Sequence, residues 1–85
     1  MTVEELIETI VSIDSVWIKF KPMEKDMVLI FWKEHYPIAS VFLKDVNFRV
    51  DYPRLYDMEY DEITKIFDSL EAYVQTDLLA REINF

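Results

Sequence analysis

The hydrophobic period of this chain changes twice, and that limits what it can fold into more than any other feature. Apolar residues recur with a helical period over residues 2–13, alternate with a period of two through most of residues 15–52, and return to the helical period from about Met58. The pattern predicts a helix at each end with strands between. In the first helix Val3, Leu6, Ile7, Ile10 and Val11 line one face, while Glu4, Glu5 and Glu8 fall away from it. Thr2 and Glu5 have the spacing of a capping box, and Met1 is placed to staple against Leu6.

In the middle, Val16, Ile18 and Phe20 alternate with Trp17, Lys19 and Lys21, a half-buried strand over 15–22 that Pro22 is expected to end. Met23 to Asp26 reads as a polar connection. Residues 27–33 are apolar on both faces, as in a central strand covered on both sides. Glu34 to Pro37 reads as a turn and Ile38 to Leu43 as a third strand. Residues 46–52 alternate again, either as a fourth strand or as an extension of the third past a bend at Lys44-Asp45. Pro53 to Asp57 reads as a loop. The long helix runs from about Met58 to Gln75 with Ile63, Ile66, Phe67, Leu70, Tyr73 and Val74 on one face. Thr76 then caps a short terminal helix from Asp77 to Ile83. The order α-β-β-β-(β)-α-α predicts a single α+β domain over 1–85, two layers deep, with an antiparallel meander and its helices on one face.

Composition removes whole classes of function. None of the 85 residues is glycine, so phosphate-cradling loops, dinucleotide fingerprints and nucleophile elbows have no residue for the positive φ or close approach they need. None is cysteine either, which excludes disulfides, thiolate zinc sites and cysteine nucleophiles and fits a reducing compartment. The acidic start, Met1 to Glu5, is unlike a secretory signal, and the longest apolar run, Met27 to Trp32, is too short to span a bilayer. A cytoplasmic protein is expected, without membrane association. The net charge is −8, but 52 % of residues are hydrophobic, so a folded chain rather than a disordered one is expected.

The charge is unevenly spread. Residues 1–14 carry four acids and no base, residues 15–56 five acids and seven bases, and residues 57–85 eight acids and two bases. On the predicted fold, acids decorate the helices and the mildly basic remainder falls on the sheet and its turns.

Catalytic constellations are lacking. His35 is the only histidine, and beside Tyr36 and Pro37 it reads as a solvated turn residue. Asp57, Glu59, Asp61 and Glu62 cluster at the start of the long helix. Without a glycine for the sharp turn of a calcium loop, they read as capping and dipole compensation rather than a metal or hydrolytic site. No enzyme activity, cofactor or metal is expected.

Two surfaces invite binding instead. From Asp51 to Glu62 tyrosines interleave with acids; Tyr52, Tyr56 and Tyr60 are expected to pack their rings at the sheet–helix junction, yet Tyr56, Asp57, Glu59, Tyr60, Asp61 and Glu62, with Asp68 and Glu71, make the best candidate partner-binding patch. The far face of the sheet has no predicted helix to cover it and carries Trp17 and Lys19, with Trp32 or Phe31, as a candidate dimer face. Lys19, Lys21 and Lys33 beside tryptophans resemble a nucleic-acid surface, but the net charge opposes phosphate contacts, so direct nucleic-acid binding is not expected.

The second half of the chain resembles small acidic accessory proteins encoded by bacteriophages and prophages of Gram-positive bacteria. The likeness lies in Ile38-Ala39-Ser40-Val41, the strand from Phe48 to Asp51, the helix from Ile63 to Tyr73, and the tail Thr76-Asp77-Leu78-Leu79-Ala80-Arg81-Glu82. Asp77 departs from the pattern, where proline is usual. The resemblance implies a phage origin and a bacterial host cell rather than an activity. Some small acidic phage proteins block host nucleases or polymerases by occupying nucleic-acid sites. The expectation is therefore a non-catalytic interaction protein that binds a basic, nucleic-acid-handling site on a host protein. The alternative is an assembly module that dimerises through the exposed aromatic sheet face.

Overall fold

A capping box starts the chain. In the computed structural model, which describes residues 1–84, the Thr2 hydroxyl accepts from Glu5 N and the Glu5 carboxylate accepts from Thr2 N, at 3.1 and 3.0 Å. Helix α1 (Val3–Val11) follows and buries Leu6 and Ile10. Strands β1 (Val16–Met23), β2 (Asp26–Lys33), β3 (Tyr36–Phe42) and β4 (Phe48–Val50) form one antiparallel sheet in the order β1-β2-β3-β4. Helix α2 (Tyr52–Leu55) and helix α3 (Tyr60–Val74) come next, and a 3₁₀ turn, Leu78–Arg81, follows. The α+β meander expected from the sequence is the fold of the chain.

Register decides which side chains meet the helices. Ile18, Phe31, Ala39 and Val50 form one row across the four strands, and Phe20, Leu29, Val41 and Phe48 the next. This inner face lies under the helices, and Phe31, Leu29 and Val41 share one core with Leu6, Ile10, Ile66, Leu70 and Tyr73. Phe31, left open beside Trp32 as a far-face residue, belongs to the core.

Several boundaries differ from expectation for identifiable reasons. Pro22 does not end β1, which continues to Met23; β1 is an edge strand, where a missing N–H costs no ladder bond. The turn predicted at Glu34 to Pro37 is only Glu34-His35, because Tyr36 and Pro37 already pair with Lys33 and Trp32. Ile38 is then an extra residue in the β2–β3 register, a bulge that lets Ile38 and Ala39 both be buried in succession. The fourth strand is separate: Asp45 turns the chain by accepting from Val46 N at 2.6 Å. The predicted loop 53–57 contains α2, whose cap is Asp51 accepting from Arg54 N at 3.3 Å. The terminal helix is a single 3₁₀ turn. Asp77 rather than Thr76 occupies its cap, since the Thr76 hydroxyl donates to Ala72 O and accepts from the Met1 amino group.

The first two hairpins close with two residues, Glu24-Lys25 and Glu34-His35. With no glycine to use, the chain takes positive φ at Glu24 (45°) and Glu34 (55°). A non-glycine residue there costs about 1–2 kcal/mol, and glycine returns roughly 0.4–1 kcal/mol of that as extra freedom of the unfolded chain. Glu24→Gly is therefore expected to stabilise the domain by about 0.5–1 kcal/mol, read as a higher urea midpoint. No gain in midpoint would show that the Glu24 side chain relieves the strain some other way.

Tyr73 ties α3 to the sheet. It is fully buried, and its hydroxyl donates to Leu43 O at 2.7 Å. Burial pushes its pKa up to about 12, against the opposing pull of the nearby Arg81 charge. Since the unfolded phenol ionises near 10, the folded state holds the proton where the unfolded state has lost it. This contribution is complete below pH 10 and is lost as pH rises through about 12. Urea midpoints should fall across that window, and Tyr73→Phe should flatten the fall; an equal fall in the variant would assign it to other groups.

Candidate functional site

The acidic surface is built where α2 hands over to α3. Leu55 and Met58 turn inward there and are buried. Tyr56, Asp57 and Glu59 are consequently left outside, and Tyr60 is the first residue of α3, ahead of the apolar stripe that begins at Ile63. Tyr56 and Tyr60 are 80 % and 84 % exposed. Tyr52 alone partly meets the expectation of packed rings, lying 6.0 Å from the Phe67 ring while staying 57 % exposed. The expected packing of Tyr56 and Tyr60 at the sheet–helix junction is corrected: Leu55 and Met58 take the inward places.

The carboxylates divide by role. The Glu62 carboxylate accepts from Glu59 N at 3.2 Å, and the Asp61 carboxylate from Glu62 N at 3.1 Å, satisfying amides that open the helix. Glu62 is half-buried, whereas Asp57, Glu59, Asp61, Asp68 and Glu71 are exposed. Asp68 lies seven residues beyond Asp61, about 20° from it around the helix, and Glu71 lies about 60° further round. Lys65 lies about 40° to the other side of Asp61 and donates to the Ser12 hydroxyl at 3.2 Å, which draws its charge toward the end of α1. Glu4, Glu5 and Glu8 on α1 are exposed beside it, and the outer surface of the helical layer is largely acidic. Among the described residues, no group of three or more His, Asp or Glu side chains is placed to hold a metal ion.

The far face of the sheet has the opposite character. Its rows are Trp17, Trp32 and Pro37; then Lys19, Ile30, Ser40 and Arg49; then Lys21, Val28 and Phe42. The Trp17 and Trp32 rings stack with centroids 5.2 Å apart, and the Trp17 indole donates to Glu34 O at 2.9 Å. The Trp32 indole N–H is buried with no hydrogen-bond partner among the described residues. Lys19, Lys21 and Arg49 are exposed and none is hydrogen-bonded or ion-paired among the described residues. Between them Val28, Ile30 and Phe42 floor an open groove of about 710 Å³. Trp17, Lys19 and Trp32, expected on this face, are all there. Lys21, on the same side of β1 by alternation, joins them, and Arg49 and Phe42 complete the face through the strand register. Lys33 lies outside these rows, with its amine on Asp14 O at 2.9 Å.

His35 is exposed in the β2–β3 turn. Among the described residues no helix is long and apolar enough to cross a membrane. Comparison of the chain with protein-family models, with curated proteins and with solved structures finds no match in any of the three.

Proposed function

We propose that the protein is a non-catalytic interaction protein of phage or prophage origin, working in the cytoplasm of a bacterial host. Its tyrosine-bearing acidic surface docks on a basic site of a host protein, and a site that normally handles nucleic acid suits it best. The observation that carries this reading is the exposure of Tyr56 and Tyr60, at 80 % and 84 %, among the exposed Asp57, Glu59 and Asp61. Tyrosine contributes rigid contact area at low entropic cost, and carboxylates can occupy positions that a basic groove keeps for phosphates. The resemblance of the second half of the chain to acidic phage accessory proteins supports the origin.

The test is a pull-down from a Gram-positive host lysate with the full chain as bait, eluted by a salt gradient, alongside Tyr56→Ala/Tyr60→Ala/Asp61→Lys. A nucleic-acid-processing protein held by the native chain, lost from the variant and released well below about 1 M salt is expected, since screening there acts within about 3 Å. Equal capture by both baits, or capture that salt does not weaken, rules the reading out.

A second reading is a homodimer through Trp17, Lys19 and Trp32. Its support is the open sheet face with its stacked tryptophans. It ranks below the first because a symmetric face-to-face contact sets Lys19, Lys21 and Arg49 of one copy against the same cations of the other. It predicts a dimer by light scattering that Trp17→Glu splits, and a monomer at high concentration excludes it.

A further inference from the structure

We propose that the groove on the far face of the sheet is a second docking site, and that its occupant is an acid-flanked amphipathic helix from a partner protein. The inference does not depend on the tyrosine-bearing surface, which lies in the opposite layer. It begins with β2. Val28, Ile30 and Trp32 make the outward row of this strand as apolar as its inward row, a composition found where a sheet is covered on both faces. Residues 1–84 place every helix on the inner side, so the outward row lacks its cover among the described residues.

Charge and spacing select the cover. Lys19 and Lys21 stand on β1 and Arg49 on β4, with the apolar floor on β2 and β3 between them; Asp51, which also lines the groove beyond Arg49, has its carboxylate engaged by Arg54 N as the cap of α2. Three strand spacings separate these rims by about 14 Å, wide enough for a helix whose diameter with side chains is about 10–12 Å. Lys19 and Lys21 are two residues apart on one strand, about 6.7 Å. Carboxylates at i and i+4 on one flank of a helix are about 6 Å apart along its axis, so one such pair reaches both lysines while the opposite flank meets Arg49. The seated helix makes a third layer and buries Val28, Ile30 and Phe42.

Other occupants fit less well. A second copy in the symmetric pose opposes cation to cation. A single-stranded nucleic acid gains three cationic contacts here, against a net charge of −8 on the molecule as a whole.

The experiment titrates the full chain with two synthetic Ala-rich helical peptides of about 18 residues. Both carry the same leucine stripe; one has glutamate flanks and the other glutamine flanks. Backbone amide shifts locate the contact, tryptophan fluorescence gives the affinity, and a short oligo-dT and light scattering are run beside them. The glutamate peptide is expected to bind at least tenfold more tightly than the glutamine peptide and to shift Val28, Ile30 and Phe42. Lys21→Glu/Arg49→Glu, two exposed substitutions checked for an unchanged melting temperature, should abolish the tenfold preference. The proposal is overturned by equal affinities, by a preference the double variant keeps, or by shifts confined to the helical layer. Displacement to the other occupants overturns it too: oligo-dT as the tighter ligand of the groove, or a dimer already covering it.

Discussion

Replacing Arg81 with alanine is expected to remove about 4 kcal/mol of stability, the largest effect of any single charged residue in the chain. The side chain is 2 % exposed, and its guanidinium donates only to backbone carbonyls. Nε reaches Thr76 O at 2.8 Å, one terminal nitrogen reaches Leu43 O and Asp45 O at 2.9 and 2.7 Å, and the other reaches Val74 O at 2.9 Å. Val74 ends α3, whose last turn contains no base of its own. Arg81 thus brings a positive charge back to the negative end of that helix dipole and joins it to the β3–β4 turn. Its guanidinium carbon also lies 4.8 Å from the centre of the Tyr73 ring.

Truncation strands several of these carbonyls in a space that water cannot fill cheaply, and each buried orphan costs about 1–3 kcal/mol. An intact domain of this size holds roughly 5–10 kcal/mol in total, so Arg81→Ala should populate unfolded chain at moderate temperature. Lysine keeps the charge but cannot reproduce a fork directed at four carbonyls, and Arg81→Lys should lose about half as much. Urea denaturation of both variants measures this directly. A loss below about 1 kcal/mol for alanine would mean the carbonyls find other donors and Arg81 is not what holds the last turn in place.

Arg81 also marks where the sequence stops being legible. It lies within the terminal helix expected from Asp77 to Ile83, and nothing in that pattern singles it out. Nothing local announces that Leu43, Asp45, Val74 and Thr76 will all present carbonyls to one point, because that convergence depends on how two distant turns meet. The places of α1 and α3 were readable for the opposite reason. Thr2 with Glu5, and the stripe from Ile63 to Val74, act within one or two turns of their own sequence. Strand order was readable because short connections leave neighbours little choice but to pair. The candidate acidic patch was readable as a composition, whereas the exposure of its tyrosines was not. Tyr56 and Tyr60 stay outside only because Leu55 and Met58 take the inward places, a competition settled by packing. The groove was half readable: alternation put Trp17, Lys19 and Lys21 on one side, but joining them to Arg49 required the β3–β4 pairing, and 46–52 had left that open.

The two faces of β2 offer the other large and separable effect. Phe31 is wholly buried at the centre of the inner face, between Ile18 and Ala39. Phe31→Ala is expected to cost about 3–5 kcal/mol, the transfer of the ring plus the cavity it leaves. Ile30, one residue earlier, points the other way and is only half-buried, so Ile30→Ser should cost about 1 kcal/mol or less in the monomer. The contrast tests the register itself, since a one-residue slip of β2 would exchange the two side chains and reverse the ranking. Denaturation at two protein concentrations adds a further discrimination. If Ile30→Ser proves costly and the native midpoint rises with concentration, a second copy covers the groove, because stability gained by association follows mass action. If Ile30→Ser stays cheap at both concentrations while Phe31→Ala remains severe, the outward row is free in the isolated chain and available to a partner.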